Sequence, residues 1–225
     1  MRPTFAEIDL SAIARNVSLA CRLAGPGNQV AAVVKANAYG HGAIPVSMAA
    51  LGAGATWLCI AAPEEAVPLR TAGITSRILV LGPIAPEQVD LVVAHDLDQT
   101  VSDASQAEAL DRAARARGRV VSLHLKVDTG MRRVGILPRE ACSVAERIRA
   151  LQSVRLVGLM THFADAEAEE SAFAREQLAR FAEAEQDLAA AGIRVSIRHA
   201  ANSAALLLLP EARLDLVRPG IMLYG

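Results

Sequence analysis

At 225 residues the chain is long enough for one large domain with a buried core. Apolar residues make up 52% of it and aromatic residues only 3%, so that core must be built mainly from Ala, Val, Leu and Ile. A formal charge of -1, with Arg and Lys interspersed among Asp and Glu, excludes a basic nucleic-acid or membrane-surface patch.

The N-terminal residues show no apolar run of signal or membrane-spanning length, which points to the cytoplasm. Phe5, Ile8 and Leu10 around Glu7 and Asp9 make residues 4–9 a short extended segment, and Ser11 is the expected N-cap of a helix reaching Gly25-Pro26-Gly27. From there strand-like and helix-like runs alternate. Strands are expected over 30–35, 56–60, 77–81, 99–101, 120–127, 154–161, 193–199 and 214–217, eight in all. A helix near 43–52 follows the first strand. The clearest helix covers about 167–191, with Ala174, Leu178, Phe181 and Leu188 on one face and Gly192 as its stop. Eight strands with helical crossovers fit a (β/α)8 barrel of the TIM type. A doubly wound open sheet would carry a GxGxxG turn after its first strand, and none is present. Cys21, Cys59 and Cys142 are odd in number, far apart and set among apolar neighbours, so they read as reduced core residues, and no CxxC pair suggests a metal.

A barrel places its chemistry at the carboxyl ends of its strands. Polar residues cluster there: Lys35 ends the first strand, Lys126 to Arg133 the fifth, His162 the sixth, His199 to Ser203 the seventh and Arg218 the eighth. A lone strand-end lysine is more often structural. Desolvation at such a place disfavours an ammonium, however, and a neutral amine is what Schiff-base chemistry requires. After Lys35 come Asn37, Tyr39, Gly40, His41 and Gly42, where glycines let backbone approach a ligand and the helix starting near Ala43 offers free N–H groups to a phosphate. In the fifth strand Val121, Leu123, Leu125 and Val127 share one face, and Ser122, His124, Lys126 and Asp128 the other. If the polar face points inward, Lys126 needs a partner such as Asp128 or another interior carboxylate. His162 alone reads as a structural histidine, Asn202-Ser203 as a helix N-cap, and Arg218 before Pro219-Gly220 as a loop cation.

Five stretches carry a resemblance: VVKANAYGHG at 33–42, KVDTGMRRVG at 126–135, GLMTHFA at 158–164, HAANSAA at 199–205 and VRPGIMLYG at 217–225. In order and across nearly the whole chain they are similar to the N-terminal barrel domain of alanine racemase, a fold-type III enzyme dependent on pyridoxal 5'-phosphate (PLP). The resemblance implies that Lys35 holds PLP as a Schiff base and acts as one of two bases. It also implies that Tyr39, Asn202, Ser203 and the backbone of Gly220 and Ile221 lie on the phosphate side. Arg133 would meet the cofactor's phenolic oxygen and the substrate carboxylate. Lys126 would be a carbamylated lysine that steadies that arginine. His162 would lie against the pyridine ring and bond Arg218, which faces the ring nitrogen. An arginine there has no acceptor, so the ring nitrogen stays unprotonated and the electron sink is weakened, favouring simple proton removal and return. Arg132 departs from the small residue expected between Met131 and Arg133.

The same resemblance implies a mostly β domain after residue 225, which would pair with the strand at 1–9 and supply the second base from the partner subunit of a homodimer. The implied activity is interconversion of L- and D-alanine for peptidoglycan, with residues 10–225 as the barrel, no metal, and little activity from this chain alone. The alternative is a single-domain, non-catalytic PLP-binding protein on the same barrel.

Overall fold

The computed structural model describes residues 4–167 and 172–225. Eight strands form: β1 (Gln29–Val33), β2 (Trp57–Ile60), β3 (Arg77–Val80), β4 (Asp98–Val101), β5 (Val121–Lys126), β6 (Val154–Met160), β7 (Ile197–His199) and β8 (Leu216–Val217). All pairings are parallel, in the order β7-β6-β5-β4-β3-β2-β1-β8. The remaining seam is closed by two backbone bonds, Asp215 N to Arg198 O (3.1 Å) and Arg218 N to Ala201 O (2.9 Å). Each crossover carries a helix, so the fold is the expected (β/α)8 barrel.

Alternation along the strands divides the apolar residues into two cores. Val30, Ala32, Leu58, Ile60, Ile78, Val80, Leu123 and Leu125 point outward under the helices. Ala31, Val33, Trp57, Cys59, Leu79, Ile197 and Leu216 fill the barrel. The inward face of β5 is polar as expected, and His124 is fully buried there. Cys59 is buried, and all three cysteines are free thiols.

Residues 4–9 form neither helix nor strand. One N-terminal expectation fails. The first helix, α1 (Leu10–Ala24), is capped by Asp9 rather than Ser11. The Asp9 carboxylate reaches the N–H groups of Ser11 (2.8 Å) and Ala12 (3.0 Å), two orphan donors at once, whereas the Ser11 N–H is itself one of the groups needing a partner. The long helix α2 (Ala172–Ala190) buries Ala174, Phe181 and Leu188 as expected and adds Gln177, while the start proposed for it at 167–171 lies partly outside the described residues.

Trp57 anchors the barrel's interior: its Nε1 donates to Gln29 Oε1 (2.6 Å), the Arg77 guanidinium lies 3.7 Å from its ring centroid, and its edge meets His124. Trp57→Ala should destabilise the fold by about 3–5 kcal/mol in chemical denaturation. A loss below about 1 kcal/mol would mean that the barrel core does not depend on this residue.

Candidate active site

The turn after β1 is where local physics is least ordinary. Ala36, Asn37, Ala38 and Tyr39 all adopt left-handed backbone, with φ of 52°, 52°, 54° and 53°. For L-residues this conformation costs about 1–2 kcal/mol each, so neighbouring groups must hold it. The Glu65 carboxylate does so from across β2, accepting from Ala36 N (2.6 Å), Ala61 N (2.7 Å) and Ala62 N (3.4 Å). Asn37 Oδ1 accepts from Ala43 N (2.8 Å), and Gly40, at φ 87°, ends the turn. That N–H, expected to be free for a phosphate, is therefore already used, and none of residues 40–44 lines the cavity described next.

At the carboxyl ends of the strands lies a cavity of about 240 Å³. Lys35, Tyr39, Lys126, Arg133 and His162 line one part of it. Asn202, Ser203, Arg218, Gly220 and Ile221 line the rest, so every residue expected at the site reaches the same space. Val33, Leu81, Met160, Glu167 and Ala204 complete the wall. These last five went unnoticed in the sequence. The strand-end positions of Val33, Leu81 and Met160 could have revealed them, but Glu167 sits in a loop with no pattern to mark it.

Electrostatically the cavity is cationic. Two lysines and two arginines face it against one carboxylate, Glu167, among the described lining residues. The chain holds two lysines in its 23 basic residues, and both are here. Burial, followed by the nearby Arg133 and Arg218, pushes Lys126 down to about 8. Burial and the same cations, Arg218 first, push His162 down to about 3, so its imidazole is neutral at physiological pH. Burial lowers Arg218 to about 10, which leaves it charged.

Arg218 is fixed by four bonds' worth of geometry. Nη2 donates to Thr161 O (2.7 Å) and Ala200 O (3.1 Å), Nη1 to His199 Nδ1 (2.8 Å), and its own backbone N–H closes the β7–β8 seam. The imidazole bonded to Arg218 is thus His199, not His162 as expected. Strand register decides this: His199 ends β7 inside the barrel beside β8, while His162 lies past the end of β6 at the cavity wall.

Lys126 does not pair with Asp128. That carboxylate instead accepts from Gly130 N (2.9 Å) and Arg132 N (2.9 Å), organising the loop that carries Arg133. The loop returns to its strand through Asp128 N to Ile136 O (2.7 Å) and Ile136 N to Lys126 O (2.9 Å). Gly135 permits this approach, since a Cβ there would lie 2.7 Å from Asp128 N. Arg132 is exposed in left-handed backbone (φ 55°), so its bulk leaves the cavity undisturbed.

On the opposite wall Asn202 Oδ1 caps the helix α3 (Ser203–Leu208) at Ala205 N (2.9 Å). Ser203 Oγ accepts from Gly220 N (2.9 Å) and Met222 N (3.3 Å), which leaves its own hydrogen to donate into the cavity. A Cβ on Gly220 would stand 2.8 Å from Tyr39 Oη, so only glycine leaves that phenol its place.

The chain matches the family model described as alanine racemase, N-terminal domain, over residues 8–225. It belongs to that family. It is 46% identical over 224 residues to an alanine racemase of Desulfovibrio desulfuricans, covering 100% of this chain and 60% of the relative. The fold superposes on alanine racemase from Streptomyces lavendulae with a TM-score of 0.92 at 40% identity, covering 100% of this chain and 60% of that one. A Clostridium difficile alanine racemase in complex with cycloserine gives 0.94 at 32% identity, covering 99% and 62%. The chain therefore spans about three-fifths of the length of these racemases.

Lys126 gives a stability test with a definite sign. Its folded value, about 8, lies below the ordinary 10.5, so between those values the unfolded state binds more protons and stability rises with pH. Below about 8 the burial cost is fully present. In CO2-depleted buffer, Lys126→Met should melt higher than the parent chain at pH 7, and the gain should shrink as pH rises toward 10. A gain that persists unchanged at high pH would contradict the charge explanation.

Proposed function

We propose that this chain is the cofactor-binding barrel of a PLP-dependent alanine racemase, which takes a proton from one face of the alanine Cα and returns one to the other. The observation that carries this reading is the single cavity joining both lysines, Arg133, Arg218 and the Ser203–Gly220 wall.

The residues fit PLP in charge and shape. A phosphate and a phenolic oxygen supply the negative charge that four crowded cations lack, and the glycine at 220 leaves room for Tyr39 Oη at the phosphate side. When bound, PLP supplies an aldehyde that condenses with an amine and a ring that draws electrons from the carbon on that nitrogen. Lys35 Nζ is the amine for that aldehyde and the base on one face of the substrate.

Tyr39, Asn202, Ser203 and the backbone of Gly220 and Ile221 bind the phosphate. Arg218, which can only donate, faces the ring nitrogen and holds it unprotonated. Arg133 bonds the phenolic oxygen and orients the substrate carboxylate. His162, neutral, packs against the ring. Lys126, half neutral near pH 8, can add CO2 at Nζ with loss of one proton, and the resulting carbamate would pair with Arg133.

One lysine serves one face. The chain's two tyrosines are otherwise engaged: Tyr224 donates to Val33 O (2.8 Å), and Tyr39 lies against Gly220. The second base therefore comes from the part of the racemase relatives that this chain does not span, in our reading from the partner of a cytoplasmic homodimer supplying D-alanine for peptidoglycan. Polarimetry of L-alanine with PLP tests this. The full-length protein should racemise it, Lys35→Ala should lose activity at least about a thousandfold, and the 225-residue chain alone should be nearly inactive. Strong racemisation by Lys35→Ala, or by the isolated chain, would overturn the assignment.

A further inference from the structure

Beneath the cavity, a line of buried polar groups crosses the barrel interior. Asp98, His124, His199 and Arg218 are 8%, 0%, 0% and 4% exposed. Arg218 Nη1 meets His199 Nδ1 at 2.8 Å, His199 Nε2 meets His124 Nδ1 at 2.8 Å, and His124 Nε2 meets Asp98 Oδ2 at 3.3 Å. Asp98 Oδ2 also accepts from Arg77, whose side chain is 44% exposed. Asp98 and Arg77 begin β4 and β3, so the line runs from the amino-terminal mouth of the barrel to the carboxyl-terminal one.

The chemistry of the first link fixes all the others. A guanidinium has no acceptor, so His199 must accept at Nδ1 and carry its proton on Nε2. That proton points at His124 Nδ1, which must accept in turn, leaving the His124 proton on Nε2, facing the carboxylate. One tautomer of each imidazole satisfies every link. A second proton on His124 would set two donors against each other at the His124–His199 contact, and one on His199 would do so at the Arg218–His199 contact. Burial opposes such a proton as well, holding both imidazoles below the ordinary histidine value. The line thus has a positive end at Arg218, a negative end at Asp98 and neutral, uniformly oriented rings between them.

The site for His124 is built. Gly158 on β6 faces it, and a Cβ there would lie 2.0 Å from His124 Nδ1, so only glycine admits the ring. Trp57 meets its edge with ring centroids 5.7 Å apart.

We propose that Asp98, His124 and His199 are positioning residues for Arg218, an oriented relay that fixes the charge and plane of the guanidinium facing the cofactor's ring nitrogen. This rests on the reading of the cavity as a PLP site. It makes a carboxylate at the far mouth of the barrel a determinant of the bound cofactor's electronic state, without contact to cofactor or substrate. The order of donors and acceptors is what matters, not the imidazole itself. A glutamine at position 124 can accept from His199 through its carbonyl and donate to Asp98 through its amide, whereas leucine can do neither.

The test has two arms on the full-length protein. In the first, 15N NMR of the five histidines, without cofactor, should show His124 and His199 as neutral Nε2–H tautomers from pH 6 to 8. An Nδ1–H tautomer or a protonated ring at either position would overturn the relay. In the second, PLP is added and the visible absorption band is recorded. His124→Leu and Asp98→Asn should shift the band or weaken PLP binding about tenfold, and His124→Gln should leave both near the parent's values. Equal effects from leucine and glutamine, or no effect from Asp98→Asn, would overturn it. If the parent protein shows no lysine-linked band, the cofactor reading fails and the NMR arm alone decides the relay. If His124→Leu does not fold, Asp98→Asn and His124→Gln still decide the second arm.

Discussion

The rest of this structure depends on like charges being gathered around one cavity. Lys35, Lys126, Arg133 and Arg218 surround one small cavity, opposed among the described lining residues by Glu167 alone. Lys126 and Arg218 are buried, and burial together with the neighbouring cations depresses Lys126 and His162. Such an arrangement is expensive without an anion. The sequence shows the same economy: basic surface positions are arginine, and lysine appears only at the two places where a titratable amine faces the cavity.

The barrel makes that concentration possible. Strand alternation sends the apolar residues of β1 to β3 to both sides of the wall and reserves the inner positions of β4, β5 and β7 for Asp98, His124 and His199. Arg218 can be buried because two carbonyls and His199 take its donors, and because the line of imidazoles beyond His199 ends in a carboxylate. Strain is held at the other side of the cavity. Four left-handed residues carry Lys35 and Tyr39, and Glu65 fastens them to the loop after β2. A rigid wall and a tethered, strained turn together present the amine.

Much of this was legible in the sequence. Runs of Val, Leu and Ile at regular spacing marked all eight strands, and the polar residues that line the cavity follow the ends of those runs, because a parallel barrel opens its cavity at those ends. What escaped was set by tertiary contacts. Nothing in VVKANAYGHG announces left-handed backbone at alanines, since it is imposed by a carboxylate 29 residues away from Ala36. The cap at Asp9 rather than Ser11 turned on reach by one short side chain. His199 took the place expected of His162 because pairing register, not motif, decides which imidazole lies beside β8. Asp98 drew no notice, as a carboxylate beginning a strand resembles any solvated strand end until its histidine partner is seen.

In the proposed function one particular amine, Lys35 Nζ, meets the aldehyde of PLP. With two lysines in the chain, borohydride reduction of the PLP-loaded protein followed by peptide mass mapping gives an unambiguous answer. The account predicts a pyridoxyl phosphate group on the peptide containing Lys35 and none on that containing Lys126. Label on Lys126, or on neither lysine, would contradict it.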